Sequence, residues 1–201
     1  MRSKERLRRT GVAVVISALV TFGPHVEPAA GYCRDGISGW ADSTQELQVW
    51  NDIPNAWDAA VSASRHAWNN IDVDLIYWYP HYDATTVGTF NLFTTDFSAA
   101  GFPDVPGLTY NNLTTQPHTV SDIHLNTDFT WNLTGIMNQQ QRKTDVRTVL
   151  THEVGHASGL SHPISCGAPY TQAEQLAVMT VAWVKRWVVN GDDINGILNI
   201  Y

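Results

Sequence analysis

Residues 151–163 read THEVGHASGLSHP and constrain this 201-residue chain more than any other stretch. His152 and His156 are four residues apart. Positions i and i+4 of a helix lie on one face, one turn apart, so both imidazoles can reach the same metal ion. Glu153 follows the first histidine, where a carboxylate beside a zinc ion can activate a water molecule. The segment is therefore expected to form a helix that carries two metal ligands and a general base.

The residues after this helix add a third ligand. Gly159 lets the chain leave the helix through a left-handed turn that other residues adopt at greater cost. That turn can bring His162 back to the metal. Three protein ligands leave one position of a tetrahedral zinc open, as in catalytic rather than structural sites. The alternative, surface histidines on an amphipathic helix, is disfavoured because a chance glycine and histidine at these positions would occur roughly once in several hundred sequences.

The first thirty residues differ from the rest in composition. An apolar run over residues 11–22 is followed by Pro24 and by small residues at 29–31. Basic side chains precede this run at Arg2, Lys4, Arg6, Arg8 and Arg9. This pattern predicts a secretory signal peptide over residues 1–30. The apolar run has 12 residues, whereas a membrane-spanning helix needs about 20, so an uncleaved anchor is disfavoured. The pair Arg8-Arg9 leaves Sec and twin-arginine export both open.

Residues 31–201 are then expected to form one catalytic domain of a secreted, extracellular protein. Residues 1–30 hold five of the 12 Lys and Arg and two of the 19 Asp and Glu. The remainder carries seven basic and 17 acidic side chains, a formal charge of −10. Such a surface repels nucleic acid and anionic membranes. We therefore expect no nucleic-acid or membrane partner in the mature form. The protein is also expected to be a monomer whose partner is a protein or peptide substrate.

The two cysteines of the chain are Cys33 and Cys166. An even number of cysteines in an exported chain predicts a disulfide bond. The alternative, a free thiol that blocks the zinc ion, is disfavoured.

Apolar periodicity and turn residues predict the secondary structure. Strands are expected at 45–51, 73–79, 85–94 and 120–131. A helix should begin after Asp52, with Pro54 in its first turn, and end near residue 69. Thr144 is the predicted N-cap of the zinc helix, and Asn190 that of a last helix. The segments 95–107 and 163–177 read as loops, the first of them an irregular edge near a binding cleft.

Other residues that could bind metal are given a structural interpretation. Asp96 and Asp104 could hold a calcium ion, although scattered surface aspartates are the preferred interpretation. His66 is a lone histidine on a predicted helix and is interpreted as a packing or surface residue, and His124 has no partner at useful spacing. His124 is expected on the exposed side of a strand.

The chain resembles the matrixin-type metzincins over most of residues 45–201. The resemblance is carried by HEVGHASGLSH at 152–162, Met179, and DDINGILNIY at 192–201. DIHLNTDFTW at 122–131 resembles the strand that precedes the zinc helix in that family. The resemblance implies an α/β (α+β) fold: a twisted, mostly parallel sheet with one antiparallel edge strand, two long helices and a C-terminal third helix.

The resemblance also implies the roles of individual residues. His152, His156 and His162 would bind one catalytic zinc, Glu153 would be the general base, and Met179 would form the hydrophobic floor beneath the metal. Asp192 and Asp193 would help to lock the third helix, with solvated N-terminal carboxylates as the alternative. Trp183 is a candidate wall of the specificity pocket. Here Met179 is followed by Thr180 and Val181 rather than by Tyr-Pro, so the details of that pocket stay open.

The expected function is that of a zinc-dependent endopeptidase in which Glu153 activates a zinc-bound water. Animal matrixins carry a long propeptide and a hemopexin-like domain, and the pattern here indicates a compact, secreted enzyme of bacterial type. Two alternatives stay open. One is a secreted binding protein with a degenerate protease fold, which the intact Glu153 disfavours. The other is a zinc hydrolase that acts on a non-peptide substrate.

Overall fold

A computed structural model of the chain describes residues 33–34, 36, 39–77, 80–114, 117–167 and 171–201. The predicted signal peptide, residues 1–30, lies outside these described residues. Within them, no helix combines the length and the hydropathy that crossing a membrane would require.

The described residues form short strands and four α-helices. The strands are β1 (Cys33–Arg34), β2 (Thr44–Gln45), β3 (Leu47–Trp50), β4 (Ile76–Tyr77), β5 (His81–Ala84), β6 (Phe90–Thr95), β7 (Gly107–Asn111), β8 (Ser121–Asn126), β9 (Thr130–Asn132), β10 (Lys143–Asp145) and β11 (Leu160–Ser161). The helices are α1 (Asp58–Asn69), α2 (Val146–Ala157), α3 (Gln172–Leu176) and α4 (Gly191–Ile200). Single 3₁₀ turns lie at Asn55–Trp57, Ser98–Ala100 and Pro163–Cys166.

Five strands form the central sheet in the order β5-β3-β6-β8-β7. All neighbouring pairs are parallel except β7 and β8, which run antiparallel at one edge. Strand β3 alternates between buried and half-buried residues, as a half-buried strand should, and Leu92 and Ile123 of the central strands are fully buried. With α1, α2 and α4, this confirms the predicted mostly parallel sheet, antiparallel edge strand, two long helices and C-terminal helix. The short α3 was not predicted.

The core lies between the inner face of the sheet and the two long helices. The apolar stripe of the zinc helix, Val146, Leu150 and Val154, is completely buried. Trp68 on α1 is buried against α2, and its indole Nε1 donates to the carbonyl oxygen of Thr151 at 2.9 Å. This bond fixes the position of α1 relative to the helix that carries the histidines.

Several predicted element boundaries were wrong. The strand expected at 85–94 begins only at Phe90, and the one expected at 120–131 is divided into β8 and β9. Helix α1 begins at Asp58, because Asp52 is not its cap and instead accepts hydrogen bonds from the backbone and hydroxyl of Thr94. Strands β5 and β7 were missed. Helix α3, inside the expected loop 163–177, is held by a capping box between Thr171 and Glu174.

The predicted disulfide bond between Cys33 and Cys166 is present, with the two Cα atoms 5.6 Å apart. Strand β1 also pairs with β11, so Cys33 lies opposite Ser161 in the ladder. The bond and the ladder together fix the beginning of the described chain beside the segment that contains His162.

Candidate active site

The zinc helix α2 is capped by Asp145, not by Thr144 as predicted. Asp145 Oδ2 accepts hydrogen bonds from the backbone N–H and the hydroxyl of Thr148, at 2.8 and 2.7 Å. The same carboxylate accepts from Gly135 N and from Trp187 Nε1. Thr144 belongs to β10, where it is paired with β9. This buried carboxylate accepts four hydrogen bonds. It caps the N-terminus of α2 and connects it to the segments that contain Gly135 and Trp187.

The three predicted histidines converge on one point. The Nε2 atoms of His152, His156 and His162 lie 3.0–3.1 Å from one another. His152 and His156 project from adjacent turns of α2. Gly159 has a positive φ of 95° and reverses the chain, so that β11 delivers His162 to the same point. Among the described residues, these three are the group of His, Cys, Asp and Glu side chains close enough to share a metal ion.

The donor set fits zinc. Nδ1 of His152 donates to the carbonyl oxygen of Val178, and Nδ1 of His156 donates to that of Leu160, each at 2.8 Å. Because each Nδ1 carries a proton, each Nε2 presents a lone pair toward the other ligands. A tetrahedral zinc with Zn–N bonds of about 2.0–2.1 Å needs nitrogen ligands about 3.3 Å apart. The observed spacing is close to that value.

The surroundings keep the imidazoles neutral, which metal binding requires. Burial lowers the pKa of His152 and lowers that of His156 well below its ordinary value. Burial also lowers the pKa of His162 to about 3, with a further contribution from His152. At neutral pH all three nitrogens are therefore available as ligands.

Glu153 lies beside the histidines, only 4% exposed. Burial raises the pKa of Glu153 to about 7, while a hydrogen bond from Thr109 opposes the shift. The hydroxyl Oγ1 of Thr109 lies 2.7 Å from Glu153 Oε2. A carboxylate whose pKa lies near neutrality can both accept and release a proton at physiological pH.

Met179 packs against α2 at Gly155 and is 2% exposed. A Cβ atom added to Gly155 would overlap Met179 Sδ and would lie 2.8 Å from Trp68 Cζ2. Gly155 therefore allows Met179 and Trp68 to approach the helix closely. These neighbours of Gly155 come from α1 and from the turn at Met179.

Asp192 and Asp193 are buried, at 3% and 1% exposure, so the alternative of solvated carboxylates is wrong. Asp193 Oδ2 accepts from Val178 N, and Oδ1 accepts from Met179 N. Asn190 and Asp193 form a capping box at the start of α4. Asp193 thus links the last helix to the residue whose carbonyl orients His152.

An open cavity of about 540 Å³ extends over the histidines and Glu153, between β7 and the segment 178–186. Trp183 lines it and stacks on Phe129 with ring centroids 5.8 Å apart. Val178 and Thr180 also line the cavity, whereas Met179 is not among the lining residues. The cavity joins the candidate metal site to an apolar wall.

The other candidate metal ligands have structural partners. Asp96 accepts hydrogen bonds from the backbone and hydroxyl of Ser98, and Asp104 pairs with Arg142 at 2.8 Å. A calcium site at these residues is therefore unsupported. His124 was expected to be exposed but is half-buried, with Nδ1 2.8 Å from Thr95 Oγ1.

Fold and site together define a zinc metalloprotease of the metzincin type. The family model described as Matrixin matches residues 102–201, about half of the chain. The chain belongs to the matrixin-type metzincins. Membership in a zinc metalloendopeptidase family implies hydrolysis of peptide bonds in general. No curated protein matched the chain.

Sequence reasoning missed the side chains that β7 contributes to the site. Thr109 contacts Glu153, and Asn111 Nδ2 donates to the carbonyl oxygen of His156 at 2.9 Å. The alternation of small or polar residues in GLTYN could have indicated a strand. Its inner face lacks the apolar residues by which strands are normally recognised.

Proposed function

We propose that the protein is a secreted zinc endopeptidase in which Glu153 is the general base. The observation that carries this proposal is the convergence of three imidazole Nε2 atoms, with Glu153 buried beside them at an open cleft. Zinc bound by these imidazoles would polarise the peptide carbonyl and make the attacking water more acidic.

The chain's own residues would move the proton. Glu153 takes a proton from the attacking water while the water oxygen bonds to the carbonyl carbon. The same carboxyl group then gives that proton to the leaving nitrogen as the C–N bond breaks. Glu153 returns to its starting state, and water and peptide yield an acid and an amine. The pKa of Glu153, which burial raises to about 7, supports both proton transfers.

An extended substrate would lie along β7, the open edge of the sheet. Asn126 N donates to Pro106 O, and Asn112 N donates to Val120 O, at the two ends of the β7–β8 ladder. Hydrogen-bonded and non-hydrogen-bonded pairs alternate in an antiparallel ladder, so the backbone groups of residue 109 point away from β8. These groups could pair with a peptide backbone. A substrate side chain would enter the cavity beside Trp183.

Secretion rests on the predicted signal peptide, with circumstantial support from the Cys33–Cys166 disulfide bond, a feature of oxidising compartments. The mature domain is proposed to span residues 31–201 and to act as a monomer.

The test measures zinc per chain together with hydrolysis of casein or gelatin, with and without a chelator. Glu153→Gln should keep its zinc and lose activity by roughly 10²–10⁴, the usual effect of removing a general base. His162→Ala should lose most of its zinc, because two nitrogens bind it far less well than three. The exposed residues Glu46 and His66 supply matched controls, Glu46→Gln and His66→Ala, which should behave as wild type.

The outcomes separate the rival functions. A zinc-loaded wild-type protein that hydrolyses no protein or peptide would indicate a binding protein or a hydrolase of another substrate. A zinc-loaded Glu153→Gln protein that keeps full peptidase activity would contradict the mechanism while leaving the family assignment intact.

A further inference from the structure

The inner side of β7 contacts the zinc helix through alternate residues. A Cβ atom added to Gly107 would lie 2.8 Å from Glu153 Oε1, so this glycine leaves room beside that oxygen. Thr109 Oγ1 lies 2.7 Å from Glu153 Oε2 and 3.0 Å from the backbone oxygen of Glu153. Asn111 contacts the backbone of His156. Of these three residues, Thr109 alone donates to the carboxylate of the proposed base.

We propose that Thr109 is a positioning residue, whose hydroxyl holds Glu153 Oε2 so that Oε1 is the oxygen presented to the attacking water. This inference rests on the proposed function of Glu153 as general base. It adds a residue from an edge strand to a site whose other proposed members lie between residues 152 and 183.

The donor geometry favours the carboxylate over the backbone. A threonine hydroxyl carries one proton, so it can donate fully to only one of its two acceptors at a time. The distance to Oε2 is the shorter of the two, and an ionised acceptor forms the stronger bond. While Glu153 is ionised, the proton of Thr109 is therefore directed to Oε2.

Fixing Oε2 matters because Glu153 has three rotatable side-chain bonds. A base acts efficiently only when it lies within hydrogen-bond reach of the proton that it removes. With Oε2 occupied, the proton from water goes to Oε1 and leaves from Oε1 to the amine. Thr109 keeps its own proton throughout, so the balance of the reaction is unchanged. A side chain at residue 107 would crowd Oε1, and glycine avoids this contact.

The rival explanation is that Thr109 only docks β7 on α2. Thr109→Val separates the two explanations, because valine keeps the β-branched shape and strand propensity but has no hydroxyl. Thr109→Ser restores the hydroxyl without the methyl group. Thr94→Val is the matched control, since Thr94 Oγ1 also donates to a carboxylate, that of Asp52 on the exposed side of the sheet.

The kinetic experiment uses the zinc-loaded full-length mature protein and an internally quenched peptide that wild type cleaves. Thr109→Val should reduce kcat by about tenfold to a hundredfold, as expected for one hydrogen bond to a charged group. Its KM should change less than twofold and its zinc content should stay at the wild-type value. Thr109→Ser should recover most of the lost kcat, and Thr94→Val should match wild type. In a Glu153→Gln background, Thr109→Val should cause no further loss.

A second readout does not depend on activity. Crystal structures of the zinc-loaded proteins should show Glu153 in one rotamer in wild type and Thr109→Ser, and displaced or in several conformers in Thr109→Val. An unchanged Glu153 rotamer in Thr109→Val, or an unchanged kcat, would overturn the inference. Equal loss in the valine and serine variants, with raised KM, would also overturn it in favour of docking alone. Failure of wild type to cleave any peptide would instead refute the proposed function, and the rotamer comparison would still decide the role of Thr109.

Discussion

The carbonyl oxygen of Val178 lies 2.8 Å from Nδ1 of His152 and fixes the orientation of that imidazole. The backbone N–H of Val178 donates in turn to Asp193 on α4. The C-terminal helix is thus connected to a candidate metal ligand, His152, through a single residue. Replacing a group that orients a metal ligand typically weakens metal binding by about tenfold to a hundredfold.

Asp193→Asn should weaken zinc binding by about tenfold, at the low end of the range for groups behind the ligands. An asparagine has one acceptor oxygen, whereas the two oxygens of Asp193 accept from Val178, Met179 and Asn190. The free energy of unfolding should fall by about 1–3 kcal/mol. Competition with a chromogenic chelator and urea unfolding measure the two effects. Asp192→Asn is the control, and wild-type zinc affinity in both variants would show that the link is unimportant.

Asp192→Asn should change the pH dependence of stability. Burial, followed by Asp193 and Glu174, raises the pKa of Asp192 to about 7 from 3.8. Between these two pH values the folded protein keeps a proton on Asp192 that the unfolded chain loses. The contribution of the protonated carboxyl to stability is complete below pH 3.8 and is lost as the pH rises through about 7. Asparagine does not titrate. In zinc-free protein, the thermal midpoint of the variant relative to wild type should rise between pH 4 and pH 8.

The measurement is differential scanning fluorimetry at both pH values, with a chelator present so that zinc affinity does not contribute. Among the described residues, Asp192 Oδ1 is buried without a hydrogen-bond partner, which is why the charge is unfavourable there. Thermal midpoints that change equally with pH in the variant and in wild type would contradict this explanation.

Gly155→Ala should destabilise the protein by about 1–3 kcal/mol, the usual effect of adding a methyl group to a well-packed core. The added Cβ would overlap Met179 and approach Trp68. Met179 is flexible and can move, but Trp68 is held by its bond to Thr151. Gly191→Ala is the matched control, since nothing lies within 4 Å of the added atom. It should be neutral or stabilise α4 by up to about 1 kcal/mol, and equal urea midpoints for the two variants would refute the packing argument.

Replacing both cysteines by serine should lower the thermal midpoint. The bond joins residues separated by 133 positions, and in the chain-entropy model such a loop contributes up to about 4–5 kcal/mol. For a domain of this size, a loss of 2–5 kcal/mol corresponds to roughly 5–15 °C. Alkylation of the native wild-type protein provides the control. Two reactive thiols in that experiment would exclude the bond between Cys33 and Cys166.

Secreted protein should begin near residue 31, because the small residues Ala29, Ala30 and Gly31 follow the apolar run. Mass spectrometry of the N-terminal peptide from culture supernatant tests this. A mature protein that begins at Met1 or Arg2 would show that the leader is not cleaved.

The zinc helix and its ligands could be predicted from sequence because their spacing is local. The separation of His152 and His156 fixes their common face, and a glycine at 159 sets the turn that returns His162. The cap at Asn190 was predicted for the same reason. Two cysteines allow only one intramolecular pairing, so the partner of Cys33 required no three-dimensional information.

The boundaries of short elements were less predictable. Strand β7 has five residues, and its inner positions carry Gly107, Thr109 and Asn111 rather than apolar side chains. Its local alternation is a weak signal, and its identity as a strand comes from pairing with β8 and from contacts with α2. Thr144 was wrongly predicted as the cap of α2, because threonine and aspartate are both good caps and the local sequence does not distinguish Thr144 from Asp145. The structure decides between them, because the side chain of Asp145 accepts the hydrogen bond from the backbone N–H of Thr148.

The sequence by itself predicted the three histidines that could bind a metal ion, the position of the proposed base beside them and the disulfide partners. These predictions follow from the spacing along one helix and the turn after it and from the number of cysteines, whereas the class of fold was implied by the resemblance to the matrixin-type metzincins. The tertiary structure decided which groups support these residues. Thr109 and Glu153 are 44 positions apart, and Asp145 and Trp187 are 42 apart. Such pairs meet only after the sheet and helices have packed, because their contacts depend on where the chain returns and not on the residues beside them.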